Sequence, residues 1–203
     1  MGRAASPEVA ELTRQTAALL ESLGHRVEEV EFSVSPRFED DFLTYWSMLA
    51  FAVVRMGRRD HGPSWDSSRL DAFSLGLARL ANRRLHRLPA VITRLRGATR
   101  QAERLFSDYD VHLSPTMATE TPLLEHIDPN LDFDEVLHRV TSWMLLTPWQ
   151  NVTGQPAISL PLATTARGLP QGMQFTAGMG REARLLELAY ELEQASPFPV
   201  IHR

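Results

Sequence analysis

The sequence predicts an α/β fold, rich in helix and carrying a small mixed sheet. Two patterns predict it. Apolar residues recur at spacings of three and four through much of the chain, the period of helices packed on one face. Short stretches around residues 26–34, 111–113, 157–160 and 172–176 instead alternate at period two or are bounded by glycine and proline, as strands are. With 203 residues, 43% of them hydrophobic, the chain is long enough to bury one sizeable core, and one domain is the default expectation.

Taken in order, Ser6-Pro7-Glu8 reads as a helix start, with Ser6 as N-cap and Pro7 at the first helical position. Val9, Leu12, Leu19, Leu20 and Leu23 form its apolar face, and Gly24 ends it. A short strand over 26–34 follows, with Val30, Phe32 and Val34 on one side. A helix just ahead of a strand is what remains of a parallel β-α-β unit whose first strand is missing, so the chain is expected to begin part-way through such a unit. Ser35-Pro36 opens a second helix with Phe38, Phe42, Tyr45, Trp46, Leu49, Val53 and Met56 on its face, closed by Gly57. A third helix runs from about Asp66 to Leu88, and Pro89 starts a fourth through Val91, Ile92, Leu95, Ala98, Ala102, Leu105 and Phe106. Val111-His112-Leu113 is a strand stopped by Pro115, and a polar loop over 116–129 leads to a helix from Phe133 to about Leu146. Strands at 157–160 and 172–176 pair antiparallel across a turn at Gly168, and a last helix spans about 181–194.

Composition excludes several chemistries. The formal net charge of −4 indicates no general affinity for nucleic acid or anionic membranes. There is no cysteine, hence no disulfide, thiolate metal site or cysteine nucleophile. All 21 basic residues are arginine, so no lysine is present. No apolar run reaches the roughly 20 residues of a membrane span and no signal-peptide core is present, so cytoplasmic location is the working expectation.

Eight arginines between Arg79 and Arg104, with Glu103 the only acid among them, read either as a phosphate-binding face or as the solvated side of two amphipathic helices. The complete apolar face of the same stretch favours the second, and no aromatic residue interleaves the arginines to stack bases. Glu120, Glu125, His126, Asp128, Asp132, Asp134 and Glu135 cluster around a loop without the alternation and central glycine of a calcium loop, and the seven histidines are scattered, so no metal is expected. Ser114 and Ser159 lie in or at the ends of strands, outside any Gly-x-Ser-x-Gly turn, and read as structural.

The run Asn151-Val152-Thr153-Gly154-Gln155-Pro156-Ala157-Ile158-Ser159-Leu160-Pro161, followed by Gly168-Leu169-Pro170 and Gly172-Met173-Gln174-Phe175, resembles the C-terminal signature of the amidase-signature family. Asp110 to Thr116 is similar to the family's strand ending in Pro-Thr, and Leu23-Gly24-His25-Arg26-Val27-Glu28 to the stretch that opens its second half. Within the family, the Gly-Gln-Pro form of the motif resembles the 6-aminohexanoate cyclic-dimer hydrolase subgroup. The resemblance implies that residues 1–203 are the C-terminal portion of one amidase-signature domain whose N-terminal catalytic half is absent. It implies an amide-bond hydrolysis that uses a serine nucleophile, a second serine and a lysine base, all from that other half. No catalytic residue carries over, because arginine, protonated at working pH, cannot replace the lysine. Asn151, Gly154, Pro156, Pro161 and Gly172 take structural places in the motif. The resemblance further implies that Trp143, Met144, Thr147 and Trp149 line one wall of a substrate pocket, Met144 standing where amidotransferase subunits of the family carry an acid, which suits an apolar acyl chain. Core packing at helical spacing is the competing reading of Trp143, Met144 and Leu145. The expected partners are a small amide in the full-length enzyme and either a second copy or an N-terminal amidase half, with no cofactor, nucleic acid or membrane. A non-catalytic interaction module, or a subunit of a split amidase, is the alternative.

Overall fold

A computed structural model describes residues 4–31 and 34–198. The described residues divide into two compact units, one made of residues 34–97 and 122–142, the other of residues 4–31, 98–121 and 143–198.

The first unit is helical. Helix α2 (Phe38–His61; α1 lies in the second unit) continues through Gly57 and ends at Gly62, whose φ of +91° only glycine adopts readily. Gly57 is a packing residue rather than the expected stop: a Cβ there would lie 2.3 Å from the Trp65 indole. The helix expected from Asp66 is interrupted. Asp66 caps a single 3-10 turn (Ser67–Arg69), Leu70 is extended, and Asp71 caps α3 (Ala72–Arg84) by accepting from the Ser74 N–H at 2.7 Å. A second 3-10 turn (Leu85–Arg87) precedes α4 (Leu88–Asp108), whose first ten residues belong to this unit. The ring of Phe73 lies 5.8 Å from Trp46 and 5.6 Å from Phe133 at the start of α5 (Phe133–Trp143), which fastens α2, α3 and α5 together.

The second unit is a sheet with helices. Helix α1 (Pro7–Ser22) starts where Ser6 Oγ accepts from Val9 N–H, and Gly24 follows it at φ +96°, both as expected. The expected strand over 26–34 is not formed by residues 26–31 and 34, which join no ladder; Phe32 lies outside the described residues. A strand exists only by pairing. Strands β1 (Val111–Pro115), β2 (Ala157–Thr164) and β3 (Pro170–Ala177) form a sheet in the order β1-β3-β2. Among the described residues both ladders are antiparallel rather than mixed. The short β2–β3 connection, with Gly168 at φ +78°, allows nothing else for that pair.

Period two gives the sheet two unlike faces. One carries Leu113, Phe175 and Ile158, then Met173 and Leu160, and packs with α1 and α7 (Glu182–Ala195) into a core that includes Leu20, Leu185, Leu188 and Leu192. Full burial of Phe175 and Met173 contributes about 1.5–3 kcal/mol each. The other face is polar. Among the described residues no helix is long and apolar enough to cross a membrane.

Candidate functional site

The polar face is built by the same alternation. One row runs His112–Thr176–Ala157 across the three strands, the next runs Ser114–Gln174–Ser159, and Thr116 and Gly172 lie beyond them. Ser114, Gln174 and Thr176 are buried although polar, which is stable only when such groups are hydrogen-bonded. Gln150 donates from Nε2 to Thr176 Oγ1 at 3.1 Å, and Gln174 Nε2 makes a long 3.5 Å contact to Ser114 Oγ. Thr116 Oγ1 and Ser159 Oγ are 2.6 Å apart. Gly172 lies beneath them, and a Cβ on it would come within 2.6 Å of Ser159 Oγ and 2.9 Å of Thr116 Oγ1. Absence of a side chain at residue 172 therefore lets the two hydroxyls meet.

Among the described residues this arrangement donates and accepts hydrogen bonds but holds no activated nucleophile. Ser159 meets a threonine hydroxyl and Ser114 a carboxamide, and among the described residues neither is bonded to an imidazole or carboxylate. His112 is the titratable group of the face, and burial pushes its imidazole below the ordinary value, toward the neutral form. Among the described residues no group of three or more histidine, aspartate or glutamate side chains could hold a metal ion. The acidic loop residues are otherwise engaged: Asp128 accepts from Asn130 N–H, Asp132 from the N–H groups of Asp134 and Glu135, and Glu120 from Arg167.

The predicted pocket residues lie around a helix break, next in sequence to Gln150, which bonds Thr176 of this face. Helix α5 stops at Trp143 rather than Leu146. Pro148 has no N–H to offer the Met144 carbonyl, which instead accepts from Thr147 Oγ1 at 3.3 Å, while the Trp143 carbonyl accepts from Ala118 N–H at 2.9 Å. Trp143, Met144 and Thr147 are half-buried, and Trp149 is buried in α6 (Pro148–Thr153). Among the described residues, the indole Nε1 of Trp143, Gln150 Oε1 and Gln155 Nε2 are buried without a hydrogen-bond partner. Of the motif residues, Asn151 is exposed on α6 and Gly154 ends that helix in the left-handed region at φ +74°. The Pro156 carbonyl accepts from Ala177 N–H at 3.0 Å, and Pro161 sits in the irregularity of β2 between Leu160 and Ala163, where a missing N–H is harmless. Sequence reading passed over His112, Gln150, Gln174 and Thr176. The alternation His112-Ser114-Thr116 and Gly172-Gln174-Thr176 is the signal that marks a polar face.

Residues 2–186 match the family described as Amidase. The chain is 55% identical over 201 residues to the protein named amidase AmiC in Mycobacterium tuberculosis (strain ATCC 25618 / H37Rv), a match covering 98% of this chain and 42% of that relative. It is 30% identical over 206 residues to the 6-aminohexanoate-cyclic-dimer hydrolase of Pseudomonas sp. (strain NK87), covering 96% of this chain and 42% of the relative. The solved structure of 6-aminohexanoate cyclic dimer hydrolase complexed with substrate superposes with a TM-score of 0.78 at 27% identity, over 97% of this chain and 43% of that one. The chain thus spans less than half the length of these relatives.

Proposed function

The chain belongs to the amidase family, and from that premise we propose that residues 1–203 form the C-terminal portion of an amide-bond hydrolase and do not hydrolyse amides by themselves. The supporting observation is chemical. A serine nucleophile needs a neutral base within hydrogen-bond reach, the chain contains no lysine, and among the described residues the hydroxyls of Ser114 and Ser159 meet a carboxamide and another hydroxyl. The base and nucleophile come from an N-terminal amidase half. In the joined enzyme Trp143, Met144 and Thr147 form one wall of the substrate pocket with Trp149 packed behind them. Met144 places no charge on that wall, which suits an amide with an apolar acyl chain.

The test is complementation. The purified chain is assayed on linear amides and on 6-aminohexanoate cyclic dimer, alone and co-expressed with the part of AmiC that this chain does not match. Turnover is expected only in the second case. Turnover by the chain alone that persists in the Ser114→Ala and Ser159→Ala variants would refute the assignment of catalysis to another half.

The alternative, a non-catalytic interaction module, draws on a different observation. Tyr45, Leu49, Val53 and Met56 are exposed along α2 at spacings of four, four and three, and both outer edges of the three-stranded sheet are unpaired among the described residues. Such surfaces favour association, with a second copy or with the missing half. Sedimentation at rising concentration distinguishes self-association from a strict monomer.

A further inference from the structure

The arginines between Arg79 and Arg104 have no place in amide hydrolysis, and three of them converge in the first unit. There Arg37, Asp40 and Asp41, at the start of α2, and His86, Arg87 and Arg94 line a cavity of about 390 Å³. Arg84, just outside the lining, and Arg87 hold Asp40 at 2.8 and 2.5 Å, and Arg94 holds Asp41 through two bonds of 2.6 Å. Asp41 is buried at 2% exposure, so the Arg94 fork is locked in place. The two aspartates do not balance the cations: three arginines of the lining face two carboxylates, and Arg84 beside them adds a fourth cation, before His86 is counted. Arg37 and His86 have no side-chain hydrogen bond or ion-pair partner among the described residues.

We propose that this cavity binds a small phosphate-class oxyanion. Arg37 and His86 supply donors that nothing else uses. Arg87 gives Asp40 one nitrogen and retains further N–H groups in a fixed orientation, the preorganised fork that suits phosphate. Arg87 and Arg94 are 40% and 37% exposed, so an ion in solution reaches them. Excess positive charge together with unused N–H donors favours a multiply charged oxyanion, phosphate or pyrophosphate, over a monocarboxylate. The carboxylates of Asp40 and Asp41 do not repel such a ligand strongly, since each is already paired with arginine.

Inorganic phosphate and pyrophosphate are titrated into the full chain at ionic strength held constant with sodium chloride, followed by calorimetry and by thermal melting. Saturable one-site binding is expected, with pyrophosphate raising the melting temperature. The Arg37→Gln/His86→Gln double variant, which removes no internal contact, is expected to melt as the parent does without anion and to bind at least tenfold more weakly. Arg96→Gln, on an exposed position outside the lining, is expected to leave binding unchanged. Absence of saturable binding, or equal binding by the double variant, overturns the proposal and leaves the cluster as a staple between helices.

Discussion

Gly172→Ala probes the polar face most directly. The added Cβ would stand 2.6 Å from Ser159 Oγ, 2.9 Å from Thr116 Oγ1 and 3.3 Å from Thr116 Cβ, the first two closer than real Cβ contacts. Ser159 is exposed and can swing its hydroxyl into water, which relieves the closest clash but breaks the 2.6 Å bond to Thr116, a loss of about 0.5–1.5 kcal/mol. Thr116 is β-branched and stiff, so its share of the strain stays. Overpacking of this kind costs about 1–3 kcal/mol, or about 2–4 °C of melting temperature per kcal/mol in a chain of this length. The assay is urea denaturation of Gly172→Ala, Ser159→Ala and the double variant. Removing the Ser159 hydroxyl should return part of the loss, so the double variant should be more stable than the sum of the single effects, with a coupling of about 0.5–1.5 kcal/mol. A Gly172→Ala cost below about 0.5 kcal/mol, or a cost that Ser159→Ala does not reduce, would refute the steric account.

Three further outcomes follow from the same reasoning. Arg94→Ala should destabilise more than Asp41→Ala, because it strands a carboxylate that is 2% exposed whereas the Arg94 side chain can turn to water; equal costs in denaturant melts would contradict this. His112 has a folded pKa below its ordinary 6.5, so the unfolded chain takes up its proton first: stability should be full above 6.5 and fall as pH drops toward the folded value, and His112→Gln should flatten that part of the profile. Gly76→Ala sets a helix-propensity gain of about 1 kcal/mol against a Cβ only 2.2 Å from the Phe133 ring, and the clash should win, lowering the melting temperature; a stabilised variant would show that Phe133 moves freely.

Elements with a local signature were legible in the sequence, and those decided by contacts were not. The Ser6 cap, Pro7, the turn at Gly168 and the C-cap at Gly154 are local backbone chemistry and could be read from residue type, although Gly154 was recognised as part of the motif and not as the end of a helix. Gly57 was misread because a glycine inside a helix looks like a terminator until Trp65 is seen against it. The strand over 26–34 has the right alternation, but whether a strand forms depends on a partner, which alternation does not report. Trp143 and Met144, expected in a pocket wall, sit where helical periodicity and the demands of Pro148 disagree, and the proline decides. Of the polar face, only the pieces inside the motif were visible, since the register that places Ser114, Gln174 and Ser159 in one row is a long-range fact.

The motif itself consists largely of residues with a structural task. Thr153 Oγ1 lies 3.0 Å from the Trp149 carbonyl and 3.2 Å from Gln155 Oε1, closing α6 and holding the buried Gln155. Gly154 turns the chain through the left-handed region, Pro156 accepts from β3, Ala157 to Leu160 pair with it, and Pro161 ends the regular register. Each of these residues performs a step in converting a helix into the edge strand of a three-stranded sheet. Asn151 is the exception, exposed and without a side-chain hydrogen bond among the described residues. A joint of this kind needs no nucleophile or base to fold, so its presence carries fold and ancestry rather than turnover. If the joint is structural, Thr153→Val should lower stability by about 1–2 kcal/mol, through loss of the Oγ1 contacts and a buried Gln155 left less satisfied, while Asn151→Ala should leave stability within about 0.5 kcal/mol. A destabilising Asn151→Ala beside a neutral Thr153→Val, measured by denaturant melts, would reverse the assignment.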